Sequence, residues 1–321
     1  MKISNRTFVV SGGSSGLGLA TVKDLLHGHA YVAVLDLSPL PPGFATDEEG
    51  SSDNVKQARL LFVKTDVTRE DEVEYAVDRV VDWSKSTGAH LGGVINGAGT
   101  AAAELTINRG GQPHSTRTWD RVLGVNLTGT FHLTRMVAKH LVTVPREYEL
   151  PKAEGDIGKD DATVTDGERG VIIMVASTVA YEGQAGQIAY AASKGAIRSM
   201  TLPMARDMSR YGVRVVSIAP GPFKTPMTGM SFHTCILSVI SITGLLGLPA
   251  GTTSDHLPDA TPCGQFSRTM TDRLEKEAVL FPKRYGTPDE FAATVRWILE
   301  CSYVNGETLK LTGGARVPAM L

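Results

Sequence analysis

Tyr190 and Lys194 stand four residues apart, a spacing that puts a phenol and an ammonium on one face of a helix. A phenol ordinarily ionises at about pH 10, so it needs a neighbouring cation to act as a base near neutrality. An ammonium one helical turn away supplies that field. Ser177 follows the apolar run Val171 to Val175, where its hydroxyl can hydrogen-bond a reacting oxygen. The Tyr-x-x-x-Lys pattern alone is common, and a second match runs from Tyr148 to Lys152. There Pro151 opposes a helix and no strand-end serine precedes it, so that pair reads as loop residues.

A second constellation lies near the start of the chain. Ser11-Gly12-Gly13-Ser14-Ser15-Gly16-Leu17-Gly18 follows an apolar run and opens a segment with Leu19, Val22, Leu25 and Leu26 at helical spacing. Glycines at a strand-to-helix turn let backbone approach a pyrophosphate, and the free N–H groups of the helix start favour the anion. The next apolar run ends in Asp36, about 20 residues beyond the glycines, where a carboxylate can accept from ribose hydroxyls and repel a 2′-phosphate. No Arg or Lys directly follows Asp36, which favours NAD over NADP. Taken singly, each feature has a plain structural alternative: a tight turn, a turn aspartate, a helical surface pair. Their conjunction points to a dinucleotide site coupled to a proton-transfer group.

These residues need a scaffold that brings several strand ends together. Short β-rich runs occur at Thr7–Val10, Tyr31–Leu35, Leu60–Val63, Gly93–Ile95, Val171–Val175 and Val213–Ile218, with Thr308–Leu311 as a seventh. Near-continuous apolar strands alternating with amphipathic helices predict an α/β fold, a parallel sheet covered on both faces. Thr68 to Asp71 reads as a capping box ahead of the stripe Val73, Ala76, Val77 and Val80. Thr287-Pro288-Asp289-Glu290 reads as another, with Phe291, Val295 and Ile298 behind it. Long helices are expected over Thr118–Leu141 and Ala189–Ser209. Two stretches break the rhythm: an exposed loop insertion at about 145–169 and a second at about 231–265. Phe232 to Leu248 is apolar, but Ser, Thr and Gly interrupt it and its flanks belong to one sheet, which argues against a membrane span.

Composition narrows the function classes. A net charge of -2 over 321 residues provides no broad basic field for a nucleic-acid backbone. The cysteines Cys235, Cys263 and Cys301 are sparse and odd in number, which fits a reducing compartment rather than a disulfide framework. The histidines form no H-E-x-x-H pattern and His27 with His29 reads as a surface pair, so no metal site is expected. Met1 to Asn5 lead directly into a strand rather than a secretory segment, so an intracellular soluble enzyme is expected.

Together these residues resemble the short-chain dehydrogenase/reductase family of the classical type. The glycine turn is similar to the family's T-G-x-x-x-G-x-G with Ser11 for Thr, and Asp66-Val67 to its adenine-contacting pair. Asn96-Gly97-Ala98-Gly99 resembles its N-N-A-G, and Pro220-Gly221 its P-G. The resemblance implies a single Rossmann-type doubly wound domain over residues 1–321 with a seven-stranded parallel sheet. It implies Tyr190 as general acid/base, Lys194 as the cation that lowers its pKa and holds the nicotinamide ribose, and Ser177 as the group polarising the substrate oxygen. It assigns Asn126 a proton relay through water. It places Gly12, Ser15, Gly16, Leu17 and Gly18 at the pyrophosphate, Asn96 and Gly97 along the cofactor, and Phe223 and Thr225 over the nicotinamide end.

Within the family, Ala176–Gln184, Ile218–Pro226 and Phe281–Pro288 resemble the 3-hydroxyacyl-CoA dehydrogenase type 2 group. That likeness implies oxidation of a 3-hydroxyacyl-CoA to the 3-oxoacyl-CoA with NAD, Gln187 facing the substrate, and a mitochondrial or cytoplasmic homotetramer whose long helices form interfaces. The alternatives are a steroid or other secondary-alcohol dehydrogenase, an NADPH-linked 3-oxoacyl reductase, which Asp36 opposes, and a catalytically silent NAD-binding scaffold. The stretch 231–265 departs from the family pattern where a substrate lid is expected.

Overall fold

The computed structural model describes residues 1–42, 59–108, 110–147, 166–226 and 279–316. All seven expected strands form: β1 (Thr7–Ser11), β2 (Tyr31–Asp36), β3 (Leu60–Lys64), β4 (Leu91–Asn96), β5 (Gly170–Val175), β6 (Val213–Pro220) and β7 (Thr308–Leu311). They make one parallel sheet in the order β3-β2-β1-β4-β5-β6-β7. The chain winds outward from β1 in one direction and from β4 in the other, so the loops leaving these two strands part at their carboxyl ends. That divergence is where an open α/β sheet leaves a crevice for ligands.

Alternation along the strands builds two cores. Val9, Ala33, Leu35, Ile172, Met174 and Val215 face one side, against α2 (Glu70–Thr87), α4 (Thr130–Leu141) and α5 (Ile188–Ser209). Phe8, Val10, Val32, Val34, Ile173 and Ile218 face the other, against α1 (Gly16–His27) and α6 (Pro288–Glu300). Each fully buried Val, Leu, Ile or Phe contributes about 1.5–3 kcal/mol, so two apolar faces fix strand register more firmly than any polar contact.

The helix starts test the capping expectations. Thr287 forms the full capping box with Glu290 that its spacing predicts. The predicted box at Thr68 does not form. The N-cap of α2 is Arg69 with no side-chain cap bond, and Thr68 instead gives its N–H and hydroxyl to Asp66 Oδ1 at 2.9 and 2.7 Å. The Asp66 turn takes the threonine first, and Asp71 pairs with Arg69. The expected helix over Thr118–Leu141 is interrupted as well: α3 (Thr116–Leu123) passes into a π turn over Gly124–Gly129 before α4 begins.

The two ends of the first expected insertion lie together. Glu147 N–H donates to Glu168 O at 3.1 Å, and Arg169 donates to Val144 O at 2.7 Å and to Tyr211 O at 2.8 Å. The second expected insertion, the apolar stretch 232–248, the Tyr148–Lys152 pair, Cys235 and Cys263 lie outside the described residues. Among the described residues, no helix is long and apolar enough to cross a membrane.

One buried ion pair ties the sheet to the end of α6. Arg214 Nε lies 2.7 Å from Glu168 Oε1, with the two side chains 7% and 4% exposed. The remaining guanidinium nitrogens donate to Leu299 O at 3.1 Å, at the end of α6, and to Val304 O at 2.8 Å in the segment beyond it. Replacing Arg214 by Ala removes one of the two cations paired with the buried Glu168 carboxylate, leaving the Met1 ammonium at 3.2 Å, and we expect a loss of about 3–5 kcal/mol in the urea unfolding free energy. Lys85→Ala, at the exposed Asp82–Lys85 pair, changes it by less than about 1 kcal/mol. Equal effects of the two substitutions would show that the Arg214 contact carries no special weight.

Candidate active site

A cavity of about 410 Å³ opens over the carboxyl ends of the strands. Its floor is the glycine turn between β1 and α1. Gly12 has φ +66°, and a Cβ there would lie 2.7 Å from the Ala98 nitrogen; on Gly18 it would lie 2.1 Å from Gly12 O. No side chain fits either place. Ser11 Oγ accepts from the Ala98 N–H at 3.2 Å, stitching the end of β1 to the loop after β4. Ser15, the N-cap of α1, makes no side-chain cap bond, and the first turn of the helix has no acidic residue. Its opening N–H groups and positive dipole end thus remain available to an anion.

Asp36, at the end of β2, lines this cavity. Its carboxylate also accepts from Ser14 N–H and Ser38 N–H, both at 3.0 Å, and so braces the glycine turn. Asp66 and Val67 line the same end, with Leu37 and Thr65 beside them. Gly97 lies against the turn, where a Cβ would come within 2.7 Å of Ser11 O.

Ser177, Tyr190 and Lys194 line the other end. Ser177 caps the short helix Thr178–Ala180 through its side chain, which fixes the hydroxyl at the mouth of β5. Tyr190, in the first turn of α5, is half-buried and hydrogen-bonded to the Ser177 side chain. Burial pushes the phenol above its ordinary value, and the Ser177 hydrogen bond opposes this. Lys194 is buried at 5% exposure, and loss of water pushes its pKa down to about 8. Its Nζ donates to Val175 O at 2.7 Å and stands 5.8 Å from the centre of the Tyr190 ring. Burial thus disfavours the charged form of both groups, the phenolate and the ammonium.

Asn126 does not line the cavity. It sits in the π turn at 1% exposure, with Nδ2 donating to Thr100 O at 2.9 Å and Oδ1 accepting from Thr100 N–H at 2.8 Å. A Cβ on Gly99 would lie 3.4 Å from Asn126 Oδ1 and 3.7 Å from Lys194 Nζ, so the two side chains converge on that glycine. Asn96 also lies outside the cavity lining; its amide donates to Thr134 Oγ1 at 3.0 Å and Ile173 O at 3.3 Å, binding β4 to α4 and β5.

The segment after β6 closes the remaining side. Phe223 packs edge-on against Phe291 with ring centres 6.3 Å apart, and Thr225 lies beside Gly16. Both line the cavity, as does Gln187, whose Oε1 accepts from Gln184 N–H at 3.2 Å. The structure adds Glu182, Tyr285 and Ala315 to the lining. Glu182 and Tyr285 lie in stretches whose pattern the sequence shows, but no residue type there announces a role. Ala315 arrives from beyond β7 and carries no signal at all.

Comparison with known proteins agrees with this geometry. The short chain dehydrogenase family matches residues 6–152 and 161–235. The human 3-hydroxyacyl-CoA dehydrogenase type-2 is 36% identical over 311 residues, 96% of this chain and 94% of its own length. The Thermotoga maritima 3-oxoacyl-acyl-carrier-protein reductase is 25% identical over 98% of this chain and 99% of its own. Among solved structures, the 3-hydroxyacyl-CoA dehydrogenase type-2 from Mycobacterium avium superposes with a TM-score of 0.71 at 28% identity, covering 100% of both chains. With a sheet ordered 3-2-1-4-5-6-7, a glycine turn at its switch point and this match over most of its length, the chain is an oxidoreductase belonging to the short-chain dehydrogenase family.

Proposed function

We propose that this protein is an NAD-dependent dehydrogenase that interconverts a secondary alcohol and its ketone, with 3-hydroxyacyl-CoA and 3-oxoacyl-CoA as the pair. The observation that carries the reading is that Ser177, Tyr190 and Lys194 share one cavity with the glycine turn. The residues present fit a dinucleotide. Gly12 and Gly18 leave no room for a Cβ, the start of α1 is uncapped, and Asp36 faces the cavity with lone pairs to spare. On this reading Gly12, Ser15, Gly16, Leu17 and Gly18 hold the pyrophosphate, Asp36 the adenosine ribose, and Asp66 and Val67 the adenine. Asn96 and Gly97 contribute backbone alongside, and Phe223 and Thr225 cover the nicotinamide end. When bound, that cofactor supplies the hydride acceptor.

The chain supplies position and proton transfer. Ser177 hydrogen-bonds the substrate oxygen and keeps it against Tyr190. The Tyr190 phenolate takes the hydroxyl proton, and Lys194 holds that phenolate in the charged form while binding the nicotinamide ribose. Asn126 passes the proton onward through water, and Gln187 faces the substrate. The choice of a 3-hydroxyacyl thioester rests on the named activity of the human and fruit-fly relatives, which are 36% and 33% identical to this chain. A homotetramer is the proposed assembly: Trp119, Phe131 and Leu202 expose 36%, 48% and 46% of their surface on α3, α4 and α5.

The direct assay is NADH absorbance with a short 3-hydroxyacyl-CoA. Tyr190→Phe is expected to lower kcat by about 10²–10⁴-fold, the usual worth of a positioned acid/base. A variant that keeps most of the turnover would end this assignment. The oxidation rate rises with pH as the Tyr190–Lys194 pair gives up one proton. Lys194→Met removes the cation that stabilises phenolate, so the rising limb should move to higher pH; an unmoved limb would deny Lys194 that role.

Cofactor choice gives a second measurement. Asp36→Ala removes the charge that repels a 2′-phosphate, together with hydrogen bonds worth about 1.5–3 kcal/mol. The ratio of NADP to NAD affinity is expected to rise by about 10–100-fold in titration calorimetry, and an unchanged ratio would contradict the role given to Asp36. For the assembly, sedimentation should give four copies, and Phe131→Glu should shift the mass downward. A monomeric unmodified protein would exclude this arrangement.

A further inference from the structure

We propose that Ser193 is a positioning residue for proton transfer: its hydroxyl locks the first turn of α5 to Asn126 and so fixes where Tyr190 and Lys194 stand. The inference rests on the proposed roles of those two residues. Ser193 is fully buried, at 0% exposure, and is not among the residues that line the cavity. Any effect it has on chemistry passes through its neighbours.

A serine hydroxyl has one proton to give and can accept. Ser193 Oγ donates to Tyr190 O at 2.8 Å and accepts from Asn126 Nδ2 at 3.0 Å. The first bond holds the backbone of the residue that bears the phenol. The second reaches out of the helix to the π turn. Asn126 in turn spends its other polar capacity on Thr100, giving to its carbonyl and accepting from its N–H. Its own carbonyl accepts from Thr130 Oγ1 at 2.8 Å. Both of its amide protons are therefore placed, one on Thr100 and one on Ser193. Without the serine, one is left in the interior with no partner.

The hydroxyl joins α5 to the π turn, and through Asn126 to Thr100 in the loop after β4. Lys194 is the next residue, and its Nζ and Asn126 Oδ1 both lie close to Gly99, 3.7 and 3.4 Å from where a Cβ would stand. A hydroxyl inside a helix commonly bends it or competes with its backbone. Here it bridges the helix to the turn that carries Asn126, a use that packing alone does not require.

The test uses three full-length variants, Ser193→Ala, Ser193→Cys and Ser193→Thr, beside Tyr190→Phe. Cysteine keeps the volume and is a poor hydrogen-bond partner, so it separates packing from the bond; threonine keeps the hydroxyl. The expected result is a fall in kcat of about 10-fold for Ala and Cys alike. KM and the NAD dissociation constant should stay within about twofold, and Thr should recover most of the rate. The ultraviolet titration of the phenol, taken as the difference from Tyr190→Phe, should move to higher pH in Ala and Cys. That readout needs no turnover of any substrate. An unmoved titration in the Cys variant, or a rate loss matched by equal loss of cofactor binding, would overturn the inference. If Tyr190→Phe itself keeps its turnover, the underlying assignment fails instead, and the inference falls with it.

Discussion

Everything at the site depends on how closely β1 and β4 can bring their loops together at the point where the sheet order reverses. The turn after β1 must double back under the loop after β4, and the gap is smaller than a methyl group: a Cβ on Gly12 or Gly97 would stand 2.7 Å from backbone atoms across it. The bond from Ala98 N–H to Ser11 Oγ holds the two loops in that contact. Once the gap is closed, the start of α1 faces the crevice, and the residues that end β2, β3, β5 and β6 face the same space. The strand ends need no further device to converge, because the parallel sheet already sends them to one edge.

The second requirement is electrostatic. Tyr190 and Lys194 both lose water, and each loss opposes the charged form of its own group, upward for the phenol and down to about 8 for the ammonium. Sequence spacing predicts the pairing of phenol and cation but treats the cation as a fixed charge. The structure shows a partly desolvated ammonium anchored on Val175 O, 5.8 Å from the ring centre. Burial thus drives the proton affinities of this pair apart, up for the phenol and down for the ammonium. The pair's position along α5 matters more than its chemical identity alone suggests, and that is why buried neighbours that fix the helix turn carry weight.

Much of this was legible in the sequence because it is written in local pattern. All seven strands follow from short β-rich runs, and the box at Thr287 follows from four consecutive residues. The same rule fails at Thr68, where Asp66 two positions earlier competes for the threonine through a tighter turn. Asn96 and Asn126 show the limit more sharply. Each belongs to a recognisable motif, yet neither lines the cavity: the Asn96 side chain is spent in the core, and that of Asn126 on Thr100 and Ser193. A motif records that a residue type is needed; the direction of its side chain is decided by partners such as Thr134 and Thr100, far away in the chain. Ala315 and Tyr285 reach the lining only because β7 and the segment before α6 pack at the same edge, a long-range fact with no local signature.

Asp36 illustrates why these two kinds of information have to be combined. Read from spacing alone, it is either a ribose-binding carboxylate or a turn residue. The structure shows the turn contacts, and it places the same residue in the cavity lining. Two of the roughly four lone-pair directions of the carboxylate go to Ser14 and Ser38 N–H, which stiffen the glycine turn that the residue borders in the cavity lining. A charged acceptor held by two backbone donors is fixed in direction as well as position, so it presents a rigid edge to whatever enters. In the proposed function, the same contacts that make it a turn residue also serve discrimination between a hydroxyl and a phosphate, since they oppose its swinging aside to relieve repulsion.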